Sequence, residues 1–255
     1  MENGIITFNN DCLEVMRSQT FYDMTKGKRV IIVTDPPFNI GYHYKSYKDN
    51  MEDEAYYEWL EEIIKDYPCA IIHYPEALYK LSFQIGRFPN KVVSWVYNSN
   101  TAKQHRDIAF FDINPNFNQV RQPYKNPKDK RIIERMKNGS GGGRLYDWWN
   151  VNQVKNVSKA KTIHPCQMPL QVMENIIGIL PTDCTIVDPF MGSGTTGEAV
   201  INMNQKQNAQ REFIGIEIDD DYYQVALNRF VENQRRENGK SYTGWVGWEV
   251  DWGSR

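Results

Sequence analysis

Apolar residues fall along this chain in short blocks of two kinds. Val30-Ile31-Ile32-Val33 is an unbroken run of β-branched side chains, which predicts a strand buried on both faces. Blocks at 5–8, 70–74, 91–97, 184–188 and 213–218 predict further strands. Between them, apolar positions recur at intervals of three and four. That spacing predicts helices from Leu13 through Met16, over 53–65 (Tyr56, Tyr57, Leu60, Ile63 and Ile64 on one side), 78–86, 170–180 and 222–233, and one following residue 194. Strands alternating with helices predict an α/β fold built on a doubly wound, mostly parallel sheet.

The pattern breaks between 98 and 162. Asn, Lys, Gln, Pro and Gly dominate there, Ile108-Ala109-Phe110-Phe111 is the one clear strand, and the run Asn138–Gly143 is expected to be disordered without a partner. Charge follows the same boundary. Thr101 to Lys161 carries thirteen basic and five acidic residues, a net of +8, against −10 for the remainder of a chain whose total is −2. A basic, aromatic-studded insert in an acidic protein predicts a polyanion footprint. The chain thus divides into 1–97, an insert over 98–162, and 163–255. The last part ends in a tail with Trp245, Trp248 and Trp252, read as a short strand or hairpin.

Composition narrows the class. No apolar run approaches the ~18 residues that would span a bilayer, and the first four residues show no leader pattern, so a cytoplasmic protein without a membrane partner is expected. Cys12, Cys69, Cys166 and Cys184 are too far apart for a metal pattern, so no metal site is expected.

The strand at 30–33 stops abruptly at Asp35-Pro36-Pro37-Phe38, because prolines cannot extend a ladder. In open α/β sheets ligands bind beyond the carboxyl ends of strands. An ionised carboxylate and a carbonyl held by rigid rings suit the two hydrogens of a planar amine, and Phe38 offers a stacking face. An ordinary turn after a core strand would read the same way locally. Residues 41–50 predict a mobile loop over this tip, with Tyr42, Lys45 and Lys48 available to nucleic acid. Asp11 reads equally as an N-cap or as a carboxylate aimed at a ligand.

A second motif lies downstream. Asp188-Pro189-Phe190-Met191-Gly192-Ser193-Gly194-Thr195-Thr196 joins a strand to a helix through a glycine turn, and Glu217 ends the next strand 25 positions after Gly192. This places a ligand at a helix start and an acid against ribose hydroxyls. The turn is neither G-x-G-x-x-G nor a Walker loop, which lowers NAD and ATP. A nucleoside carrying a small carboxylate, such as S-adenosylmethionine, fits better, with Thr195 and Thr196 as candidates for that carboxylate.

Asp35-Pro36-Pro37-Phe38 upstream, the glycine motif downstream and His164-Pro165-Cys166-Gln167-Met168-Pro169 before it resemble, in type and order, the β-group of DNA amino-methyltransferases. Asp11 to Met16 resembles that group's opening segment. The resemblance implies a Rossmann-like methyltransferase fold with permuted motif order and a target-recognition insert, and base flipping of the substrate. By position it implies Asp35, Pro36, Pro37 and Phe38 around the target amine. It implies Asp11, Cys12, His164, Gln167, Asp188, Phe190, Gly192, Ser193, Gly194, Thr195, Thr196 and Glu217 around S-adenosylmethionine. Lys103, Arg106, Arg121, Lys125 and Lys128 join Tyr42, Lys45 and Lys48 as expected DNA contacts. Asp as the first residue of the upstream motif favours the N6 amine of adenine. The N4 amine of cytosine, an RNA substrate and a silent DNA-binding subunit remain the alternatives. Met168 stands where many members carry Lys, which leaves the cofactor carboxylate to another donor, Gln167 or Thr195. Double-stranded DNA is the expected partner; a second copy of the chain and a cognate restriction endonuclease stay open.

Overall fold

A computed structural model describes residues 4–42, 49–154 and 167–238. In chain order the elements begin with β1 (Ile5–Asn9), α1 (Cys12–Met16), α2 (Gln19–Thr25), β2 (Val30–Thr34), α3 (Asp53–Ile64) and β3 (Cys69–His73). There follow α4 (Pro75–Gln84), β4 (Lys91–Val96), β5 (His105–Phe111), β6 (Arg121–Gln122), α5 (Lys130–Lys137), β7 (Gly143–Arg144) and β8 (Trp148–Asn150). The chain closes with α6 (Leu170–Gly178), β9 (Thr185–Asp188), α7 (Thr195–Gln207), β10 (Glu212–Glu217) and α8 (Asp220–Asn238). Lys45, Lys48, His164, Cys166 and the tryptophan-rich tail lie outside the described residues.

Eight strands form one sheet in the order β1-β10-β9-β2-β3-β5-β4-β8. From β1 to β3 every pairing is parallel; only β5 runs against its neighbours. The unbroken apolar runs are what a sheet covered on both faces requires. Along β2 the side chains alternate: Ile31 and Val33 pack with Met173, Ile176, Val200 and Phe230 from α6, α7 and α8. Val30 and Ile32 turn to the opposite core, with Val15, Phe21, Tyr56, Leu60 and Leu78 from α1 to α4. The chain leaves β2 outward to β3 and leaves β9 outward to β10, so the switch point of the winding lies between β9 and β2.

Two expectations need correcting. The stretch 98–162 is not wholly an insert, because β5 sits between β3 and β4 in the main sheet and β8 forms its edge. Continuous burial of Ile108, Ala109, Phe110 and Phe111 places that strand in the core. What stands outside the sheet is 112–147, fastened by buried Ile113 and Leu145, the latter donating its N–H to the carbonyls of Phe117 and Val120. The glycine run is also not shapeless. It ends α5, the Ser140 hydroxyl meets that of Tyr124 at 2.7 Å, and the chain enters β7 against β6.

Gly194 shows how the downstream turn is made. Its φ of +79° is left-handed, and a Cβ there would lie 2.9 Å from both Ala226 Cβ and Phe230 Cζ. The absence of a side chain lets α8 lie directly under the turn that begins α7. Gly194→Ala is expected to lower unfolding free energy by about 2–4 kcal/mol, from left-handed strain plus overpacking. Denaturant unfolding checks this; a loss below about 1 kcal/mol would show that α8 can retreat at little cost.

Candidate active site

The carboxyl ends of β1, β2, β9 and β10 meet over a cleft of about 420 Å³. Asp35, Pro36, Pro37 and Phe38 form one end, and Asp11, Cys12, Phe190, Gly192 and Glu217 the other. The two sequence motifs, distant in the chain, are therefore one site.

A buried hydrogen-bond set joins them. The carboxylate of Asp188 accepts from the Thr34 hydroxyl (2.7 Å), the Phe190 N–H (3.1 Å) and the Thr196 hydroxyl. Burial raises the Asp188 carboxyl above its ordinary range, against the pull of those donors. Asp188 and Thr196, expected at the cofactor, lie beneath the cleft rather than on its wall. Thr195 and Ser193 are likewise engaged: Arg229 donates to the Thr195 hydroxyl at 2.8 Å and to the Ser193 carbonyl at 3.1 Å, and pairs with Glu198. The Thr195 hydroxyl accepts from Arg229 and keeps its own hydrogen to donate, whereas the Thr196 hydroxyl gives its hydrogen to Asp188. Gly194, tight against α8, and the buried Gln167 also stand off the cleft wall.

Glu217 ends β10 as expected. Its two oxygens accept from the N–H groups of Gly192 and Asp219, each at 2.8 Å, so the carboxylate is fixed at the cleft wall. Burial raises its carboxyl as well. Asp11 is the N-cap of α1, its Oδ1 accepting from Leu13 and Glu14 N–H (2.9 and 3.1 Å), and the residue also lines the cleft. Burial pushes the Cys12 thiol up to about 12, so it remains protonated. Phe190 packs on Trp59 with ring centroids 5.1 Å apart, and both rings line the cleft together with Glu217.

At the other end, Asp35 Oδ1 is buried and has no hydrogen-bond partner among the described residues. Burial pushes its carboxyl up to about 7, opposed by Arg106 and reinforced by Asp188. The backbone after it is braced from below. Tyr74 N–H donates to His73 Nδ1 at 2.8 Å, which puts the neutral ring's proton on Nε2. Nε2 then donates to the Tyr56 hydroxyl at 3.0 Å, and that hydroxyl donates to the Pro37 carbonyl at 2.5 Å. Burial, with Arg106 and Lys103 nearby, holds His73 down at about 3, so this arrangement persists across physiological pH.

The loop after Phe38, expected to be mobile over 41–50, is tied at both described ends. Buried Asp49 accepts from Asn39 (2.8 Å), Tyr42 (3.0 Å) and Ile40 (3.1 Å) N–H groups. Of the expected DNA contacts, Tyr42 stands at the cleft mouth, and Lys103 lies over the Tyr74 ring at 3.9 Å. Arg121, Lys125 and Lys128 are exposed on 112–147. Arg106 departs from that surface set. Its side chain is 12% exposed, inside the cleft, with Nη1 3.7 Å from Asp35 Oδ2. Because β5 runs antiparallel, its first residues arrive where the parallel strands end.

Sequence reasoning missed Asn10, Trp59, Asp219 and Tyr222 at the cleft, and Tyr56 and His73 beneath it. Trp59 carried a signal, lying three positions from Tyr56 on the predicted inner side of α3; Asp219 carried one too, two residues past Glu217.

Among known proteins, the family model for DNA methylases matches residues 71–228. A type II methyltransferase, M.HpaI of Haemophilus parainfluenzae, is 30% identical over 78% of this chain and 67% of its own length. The DNA adenine methyltransferase YhdJ of Escherichia coli (strain K12) is 26% identical over 78% of this chain and 75% of its own. Among solved structures, the M1.HpyAVI–SAM complex superposes with a TM-score of 0.53 at 23% identity, covering 88% of this chain and 99% of that one.

The raised Asp35 carboxyl fixes a sign. From pH about 4 to about 7 the folded chain holds a proton that the unfolded chain has released, so Asp35 makes stability fall as pH rises through that window. Between about pH 5 and 7 the loss amounts to about 2 kcal/mol. Denaturant unfolding at both pH values is expected to show the wild type losing more stability than Asp35→Asn; equal losses would mean that Asp35 titrates normally.

Proposed function

The chain belongs to the DNA methylase family, and from that premise we propose that it methylates the N6 amine of an adenine extruded from double-stranded DNA, using S-adenosylmethionine. One observation carries the reading. Asp35 Oδ1 is a buried acceptor without a partner among the described residues, beside the Phe38 ring, in the same cleft as a fixed Glu217. Such an atom is stable only if a donor arrives.

S-adenosylmethionine, when bound, supplies an electrophilic methyl group. The rings of Phe190 and Trp59, in the same cleft as Asp11 and Cys12, suit its adenine ring. Glu217 is placed to accept from ribose hydroxyls. The methionine end is assigned to the turn at Gly192 on the cleft wall, with Thr195, Gln167 and the His164 segment as the candidate donors that the resemblance implies.

An exocyclic amine is a poor nucleophile, because its lone pair is delocalised into the ring. Asp35 and the Pro36 carbonyl accept its two hydrogens and favour a pyramidal nitrogen. The Tyr56–His73 brace keeps the following backbone from drifting. Phe38 holds the base flat. Catalysis here is positioning together with fixed dipoles. The proton is acidic only once the new N–C bond forms, so Asp35 need not be a strong base; its carboxyl near 7 suits accepting that proton late.

DNA contacts are assigned to Tyr42, Lys103, Arg121, Lys125 and Lys128, with Lys45 and Lys48 from the adjoining loop. Supporting this, Arg121 faces Arg144 directly across the β6–β7 pair. Like charges opposed in this way repel, and an anion such as a backbone phosphate relieves them. The type II methyltransferases among the relatives support a cognate endonuclease reading the same site, and the small size of 112–147 supports two copies on one duplex. A cytoplasmic setting agrees with the described residues, which include no helix long and apolar enough to cross a membrane.

Asp35→Ala is expected to lower methyl transfer to unmethylated DNA by at least about 10³-fold while S-adenosylmethionine binding stays within a few fold. Undiminished turnover would defeat the assignment. Modified-base sequencing of the wild-type product is expected to show methyladenine in one short repeated context. Methylcytosine would reverse the base assignment.

A further inference from the structure

Arg106 is the cation lining the cleft, and this mechanism leaves it without a role. It enters from the start of β5 and lies over the Phe38 ring, guanidinium carbon 4.4 Å from the centroid. Nη1 is 3.7 Å from Asp35 Oδ2, and 3.9 Å from the Met168 sulfur on another side. The guanidinium carbon also lies 5.4 Å from the Trp95 ring and 6.0 Å from that of Tyr97. On the Phe38 ring, the His73 contact (centroids 4.6 Å apart) comes from a buried residue off the cleft wall. Arg106 does line the cleft, so within it the guanidinium covers a face of the Phe38 ring.

The geometry is chemically specific. A guanidinium is planar, carries NH2 groups, and stacks on aromatic rings. An aminopurine edge has the same planarity and the same donor. We propose that Arg106 is a placeholder for the target base: its guanidinium covers a face of Phe38 with Nη1 beside Asp35, and it gives way when the flipped base enters. The inference rests on reading Asp35 and Phe38 as the target-amine clamp.

A placeholder of this kind serves two ends. It shields an aromatic face and a buried carboxylate from water while no base is present. It also keeps Asp35 ionised at a lower pH than burial alone allows. The ionisable groups facing Asp35 are Arg106 from β5, Asp188 from β9 and Tyr97 just after β4. Arg106 is the only cation among these, and the only one whose removal raises the Asp35 carboxyl.

The test compares wild type, Arg106→Lys, Arg106→Met and Arg106→Gln. Transfer of labelled methyl from S-adenosylmethionine to unmethylated DNA is followed from pH 5.5 to 9.5, with cofactor binding as the measure of folding. For the two neutral variants the midpoint of the pH profile of kcat/KM for DNA, which reports the free enzyme, is expected to rise by about one unit or more, and Arg106→Lys to move less than half as far. At the alkaline plateau their KM for DNA should match or fall below that of the wild type, since the base no longer displaces a resident group. An unchanged midpoint in both neutral variants overturns the proposal. So does a KM for DNA raised by about tenfold or more, which would make Arg106 a grip on substrate. A wild-type chain that binds cofactor but methylates no DNA defeats the clamp reading and this inference together, an outcome distinct from the other two.

Discussion

One buried carboxylate holds the cleft together. Asp188 takes hydrogen bonds from Thr34, from the Phe190 N–H and from Thr196, residues belonging to β2, to the turn after β9 and to α7. Placing an anion in the core is costly unless every lone pair is served. Here the donors come from both sides of the winding's switch point, so that cost is offset only when β2 and β9 stand in one register. The amine end and the cofactor end of the cleft, 154 positions apart at Thr34 and Asp188, are thereby fixed relative to each other.

The same logic runs through the downstream turn. Arg229 on α8 reaches the Ser193 carbonyl and the Thr195 hydroxyl while pairing with Glu198 on α7. Gly194 allows the helices to approach that closely. Polar groups that look like ligand binders in a linear motif are, in three dimensions, the fastenings of the loop. What lines the cofactor end of the cleft is Gly192, Glu217, Asp11, Cys12 and aromatic surface. Rigidity on this scale suits a transfer between two substrates whose reacting atoms must align within a fraction of an ångström.

How much of this was legible in the chain depends on the kind of signal. Val30 to Val33, Cys184 to Asp188 and Phe213 to Glu217 read correctly because a strand covered on both faces must be apolar throughout. The two tips read correctly because Pro-Pro and Gly-x-Gly each do one local thing. β8 was missed because Trp148 and Trp149 alternate exposed and buried within three residues, too short for a period to show. Arg106 read as a surface cation because its segment is basic on average; only the antiparallel course of β5, which no local pattern encodes, carries it into the cleft. Asp49 lay within a polar, aperiodic loop and gave no sign that it would gather three backbone N–H groups.

The way 112–147 is attached has an evolutionary consequence. The segment leaves the sheet after β5 and returns at β8, near an outer edge, and its anchors, Ile113 and Leu145, sit at its two ends. Nothing in α5 is buried. Its length and sequence are therefore almost decoupled from the fastening at Asp188 and the brace under Pro37. Such a lineage can trade one surface cassette for another, by drift or recombination, and keep the same chemistry running beneath it.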